Sequence, residues 1–140
     1  MYATETDMTI LFRGLADLDL AAPSLSPLAE AFYHPGKLQR AEGDWQAWLT
    51  RYAERAAEDG WSPAERRARM NAVNPLYVMR NYLAQQAIDR AESGDPAGVT
   101  ELLEVMRKPY DDQPGREAYA QRRPDWARHR AGCSMLSCSS

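Results

Sequence analysis

Long apolar runs are missing from this sequence, and a membrane-spanning helix is excluded with them, since none approaches the roughly 20 apolar residues such a helix requires. The N-terminus does not set a basic flank before an apolar stretch, as a secretory leader would. With a mean hydropathy of -0.62, a soluble, cytoplasmic protein is the expectation. A basic excess is missing too: 17 Lys and Arg against 20 Asp and Glu leave a net charge of -3. Bulk electrostatics therefore gives no reason to expect nucleic acid or an anionic membrane as partner. Histidine is scarce. His34 precedes a proline and His129 lies in an arginine-rich stretch; neither has a partner at metal-ligand spacing, so no metal site is expected. No glycine-rich phosphate loop, G-x-S-x-G elbow or H-E-x-x-H helix occurs, and no catalytic residue is assigned within the chain. Internal repeats and low-complexity segments are likewise absent.

What is present fits one globular domain. The 140 residues can bury about two-thirds of the surface their unfolded form exposes. Hydrophobic residues at 44% and charged residues at 26% lie far from the composition of a disordered chain. Charge is spread unevenly: residues 1–30 carry Glu5, Asp7, Asp17, Asp19 and Glu30 against Arg13 alone, whereas residues 107–130 carry seven basic and four acidic side chains. Two faces solvated with opposite sign account for this, and a basic docking surface is the alternative.

Apolar residues recur at helical spacing through most of the chain, with no sustained strand-type alternation, so the expected fold is all-α: a bundle of five to six helices with an irregular C-terminal tail. A first helix over residues 5–18 places Met8, Leu11, Phe12, Leu15 and Leu18 on one face. Ser26-Pro27 reads as a second, short helix start, ending near His34-Pro35-Gly36. Over residues 42–58, Trp45, Trp48, Leu49, Tyr52, Ala53 and Ala56 form a broad stripe. Ser62-Pro63-Ala64-Glu65 combines a capping box with proline at the first helical position and predicts a helix over residues 63–72. Asn74-Pro75 repeats the signal and predicts the longest helix, to about Ser93, with Leu76, Met79, Leu83, Ala87 and Ala91 on one face. Asp95-Pro96 starts its antiparallel partner, with Val99, Leu102, Leu103 and Met106 inward. Beyond Pro109 only short helical turns are expected, near 116–121 and 124–130. A helical domain over 1–131 followed by a flexible, cysteine-containing tail over 132–140 is the predicted organisation.

Few side chains invite a chemical reading. Asp111-Asp112 could hold a divalent cation, but the flanking Pro109 and Pro114 describe a rigid turn. Glu101 and Glu104 sit on the helix face opposite the leucines, where charges are solvated. Arg80, Asn81 and Gln85 are placed on one face of the long helix; a polar face in water and a set of contacts to another domain are both open readings. Both cysteines, Cys133 and Cys138, fall in the last eight residues, outside any predicted helix. Core packing does not explain a thiol there; an incidental exposed thiol and a redox function, free to reach a disulfide partner, both remain open.

Four segments taken in order, Asn74-Pro75-Leu76-Tyr77-Val78-Met79-Arg80-Asn81-Tyr82-Leu83-Ala84-Gln85, Arg107-Lys108-Pro109-Tyr110-Asp111-Asp112-Gln113-Pro114, Pro124-Asp125-Trp126-Ala127 and Ser137-Cys138-Ser139-Ser140, resemble the C-terminal motifs of the selenoprotein O family in sequence, order and spacing. Asp7-Met8-Thr9-Ile10-Leu11-Phe12-Arg13 resembles a family segment further upstream. The resemblance implies a kinase-like protein that transfers AMP from ATP, with magnesium, to hydroxyl side chains of substrate proteins. It also implies that the lysine, glutamate, asparagine and aspartate that bind nucleotide and metal lie in a preceding kinase-like core, and none has a counterpart in these residues. For this segment alone no cofactor is expected; its expected partner is that N-terminal core. One functional residue does carry over: Cys138 corresponds to the family's third-last position, selenocysteine or cysteine, which is thought to bridge to a cysteine of the core. The chain is expected to be an excised domain or a truncated gene product, inactive by itself. A stand-alone helical interaction module, working through Trp45 and Trp48 or through Arg80 and Asn81, is the competing reading.

Overall fold

A computed structural model describes residues 1–133. They divide into two compact units, Met1–Leu76 and the part from Tyr77 onward. The fold is all-α: among the described residues no strand forms, and an isolated antiparallel bridge between Thr6 and Phe32 is the one β-type pairing.

In the first unit, α1 spans Met8–Gly14, shorter than the sequence suggests because the chain tightens into a 3-10 turn at Leu15–Asp17. Asp7 caps it, accepting from the Ile10 amide, and also accepts from the Tyr33 hydroxyl at 3.0 Å. A 3-10 helix over Ser26–Ala31 runs so close to α1 that a Cβ on Gly14 would lie 3.0 Å from Leu28 Cδ2 and 3.1 Å from the Pro27 carbonyl oxygen. His34-Pro35, expected to end a helix, instead opens the short α2, Pro35–Arg40, since proline at the first helical position forfeits no hydrogen bond. α3 is Glu42–Ala57 and buries Trp45, Leu49 and Ala53 at a spacing of four. Phe32, Trp45 and Trp48 meet edge to face at 5.0 and 5.6 Å, and Trp48 stacks on Tyr52 at 5.4 Å. With Leu11, Leu15, Leu18 and Leu28 they form the unit's core; Met8 and Phe12, expected on the inner face of α1, stand exposed. α4, Pro63–Val73, begins with the predicted capping box, the Ser62 hydroxyl and Glu65 carboxylate each satisfying the other residue's amide. Arg13 reaches back to its far end and donates to the carbonyls of Asn71 and Asn74 at 3.1 and 3.0 Å, groups left without helical partners there.

The second unit corrects the longest predicted helix. Asn74 closes α4, donating its side-chain amide to the Met70 carbonyl, and α5 begins only at Asn81, spanning Asn81–Glu92. Residues 75–80 are not helical, because tertiary bonds claim them: the Tyr77 amide donates to the Pro109 carbonyl at 3.0 Å, and Tyr77 is buried. α6, Ala97–Arg107, completes the expected hairpin. Its inner side is Gly98, Leu102 and Val105, whereas Val99 and Leu103 face solvent. Arg90 ties the hairpin together, donating to Asp95 at 2.7–2.9 Å and to Glu101 at 3.0 Å. 3-10 turns at Glu117–Ala120 and Asp125–Arg128 follow. The second core joins Tyr82, Leu83, Ala87 and Leu102 to Ala127 and Cys133.

Candidate functional site

The sequence reading singles out Arg80, Asn81, Gln85, Cys133 and Cys138, and the structure brings two of them together. Arg80 is the extended residue before α5, Asn81 its exposed first residue, and Gln85 lies one turn further on. Gln85 donates to Asp89 Oδ1 at 3.0 Å, and Arg130 grips the same carboxylate with both terminal nitrogens at 2.7 Å. Hydrogen bonds from Gln85 and Arg130 hold the Asp89 carboxyl below its ordinary range, and the bond to Asp89 raises the Arg130 guanidinium in turn.

This network anchors the segment leading to Cys133. Gly132 has φ +81°, and a Cβ there would sit 2.5 Å from Gln85 Oε1; the left-handed backbone and the close approach both demand glycine. Cys133 follows with its amide bonded to the Arg130 carbonyl, and its side chain enters the second core with 5% of its surface exposed. The accessible thiol expected at this position is thus a packed one, because Gly132 turns the chain inward under α5. Cys138 lies outside the described residues.

Three of the motif segments converge in this unit. Tyr77 of the first motif bonds through its amide to Pro109 and through its hydroxyl to the Gln113 carbonyl at 3.5 Å. Gln113 donates to the Val105 and Lys108 carbonyls at 3.0 and 2.9 Å, capping α6, so Asp111 and Asp112 are exposed residues of a turn. Tyr82 meets Trp126 edge to face at 6.2 Å and donates to the Gln121 carbonyl. The residues that matter here and were missed, Tyr77, Gln113, Asp89 and Arg130, act through long-range hydrogen bonds; the only sequence signal for the first two is their place inside the motifs.

A cleft of about 680 Å³ runs beside Tyr82, Tyr119 and Trp126. Tyr119, which lines it, donates its hydroxyl to Glu101 at 3.4 Å, a carboxylate already held by Arg90. Among the described residues no group of three or more His, Cys, Asp or Glu could hold a metal ion, and no helix is long and apolar enough to cross a membrane.

No family model matches the chain. Individual relatives do, over nearly its whole length: the protein nucleotidyltransferase YdiU of Xanthomonas euvesicatoria pv. vesicatoria is 64% identical over 140 residues, that of Aromatoleum aromaticum 62% over 136 residues, and that of Tolumonas auensis 58% over 136 residues. The matches take in 97–100% of the chain but 26–27% of each relative, so the chain spans about a quarter of their length, at the C-terminal end. These are proteins named as nucleotidyltransferases, and it is their C-terminal portion that the helical chain matches. Over its whole length the chain is similar to the C-terminal portion of proteins of the selenoprotein O, or YdiU, family.

Proposed function

We propose that the chain is the C-terminal helical domain of a cytoplasmic protein adenylyltransferase, which moves AMP from ATP to serine, threonine or tyrosine hydroxyls of substrate proteins. Its part is to support a kinase-like core and to carry a redox-active cysteine, Cys138, that bridges to a cysteine of that core. The observation behind this reading is identity of 58–64% across nearly the whole chain to proteins of the nucleotidyltransferase name. With the resemblance, magnesium and ATP are assigned to the part of the longer relatives that precedes this segment, and no chemical step is placed on these residues.

The purified chain should transfer no AMP from labelled ATP to a protein acceptor. Grafted in place of the C-terminal quarter of the Xanthomonas protein, it should support transfer, and Cys138→Ser in the graft should remove the effect of added reductant. Transfer by the chain alone, or a folded graft without activity, would refute the assignment.

A further inference from the structure

The first unit contains a buried cation without a counter-ion among the described residues. Arg66, in the first turn of α4, is 5% exposed. Its Nη2 donates to the Leu18 carbonyl, while Nε and Nη1 are buried and have no acceptor among the described residues. Arg66 helps line a cavity of about 820 Å³, as do Asp17, Asp19, Leu18, Trp61 and Arg67. Of the two carboxylates there, Asp17 pairs with Arg67 at 2.9 Å, Asp19 accepts from the Ala21 amide at 2.9 Å, and neither is bonded to Arg66. Trp61 is 40% exposed at the same cavity, with the Arg69 guanidinium 4.7 Å above its ring.

A guanidinium carries five N–H donors in a fixed fork suited to a carboxylate. Burying it unpaired is costly, and removing it in favour of an apolar side chain of like volume is favourable unless a partner compensates the charge. Leucine or methionine would fill this position on a helix at least as well. A buried charge that the described residues do not neutralise points to a contact completed from elsewhere, and the apolar walls contributed by Leu18 and Trp61 suit a polypeptide better than a free ion.

We infer that Arg66 and its cavity receive an aspartate or glutamate side chain from the portion of the protein that precedes this segment in the longer relatives. This rests on the proposed role as the C-terminal domain of such a protein. Because Nε and Nη1 are sealed in the unbound chain, docking entails a local opening of the cavity wall.

The test is a reversal of sign. In the isolated 140-residue chain, Arg66→Met should raise the thermal midpoint by about 3 °C or more, because an uncompensated charge is lost. In the graft onto the Xanthomonas protein the same substitution should lower the midpoint, because the acidic partner is then the group left unpaired. Arg66→Leu should give the same two signs. If either variant destabilises or fails to fold as the isolated chain, the chain already satisfies Arg66 and the inference falls; it falls also if both contexts shift upward. A graft carrying Arg66 that folds and transfers AMP but shows no reversal removes this inference alone, whereas a folded graft that is inactive with Arg66 present removes the proposed function.

Discussion

Replacing Gly132 by alanine should expose Cys133, and the size of the effect follows from two features of that position. At φ +81° an L-residue is strained by about 1 kcal/mol relative to glycine. The new Cβ would meet Gln85 Oε1 at 2.5 Å, so the glutamine must turn aside and weaken its 3.0 Å bond to Asp89, adding up to about 1 kcal/mol for a partly exposed contact. A total of about 1–2 kcal/mol shifts local opening of the 130–133 segment by about 5- to 30-fold. The readout is the rate at which Cys133 reacts with an aromatic disulfide reagent under native conditions, in a Cys138→Ser background so that one thiol reports. Gly132→Ala should label about 5- to 30-fold faster than the parent, and in a Gln85→Ala background the same glycine substitution should have a smaller effect, reduced by the part that comes from the collision. If the parent already labels at the rate of the urea-unfolded chain, or if Gly132→Ala leaves the rate unchanged, Cys133 is not held as described.

In the first unit, Leu49 has no exposed surface, and Leu49→Ala should cost about 2–5 kcal/mol in denaturant unfolding; a loss below about 1 kcal/mol would contradict its place in the core. Acid should weaken the α5–α6 hairpin. Hydrogen bonds from Arg90 hold the Asp95 and Glu101 carboxyls below their ordinary values of 3.8 and 4.5, so the stability they contribute is present above that range and is lost as the pH falls through and below it. Arg90→Met should flatten this part of the acid limb, measured as denaturation midpoint against pH. An unchanged limb would show that the exposed pairs contribute nothing.

Much of the architecture was legible where a local signal had no competitor. The Ser62–Glu65 box and the spacing of Trp45, Leu49 and Ala53 were met because capping and amphipathic burial depend on neighbours within four residues. Asn74-Pro75 misled because a cap before a proline is also how a helix ends: the asparagine side chain turned back to Met70, and Tyr77, bonded to Pro109 and Gln113, drew the following residues out of helical geometry. Val99 and Leu103 looked like core by apolarity alone, yet Leu102, Val105 and Gly98 already fill the side that faces α5. The site was read less well than the fold. Gln85 was singled out for a polar face or for contacts to another domain, whereas in the structure it bonds to Asp89, 4 positions away, whose other partner Arg130 is 45 positions from Gln85; Cys133 is buried by a glycine turn that a tail reading of small polar residues could not distinguish from disorder.

The bonds that hold α4 have a consequence in time. Arg66 is the one residue this 11-residue helix buries, and an isolated helix shorter than about 12–15 residues is marginal in water. Its order is supplied by Arg13, which bonds carbonyls at its C-terminal end across sequence separations of 58 and 61 residues. A ribosome therefore delivers the anchors long before the helix that needs them. Residues 63–73 become helical on a surface already waiting, and damage to residues 11–18 is felt first as fraying some fifty positions downstream.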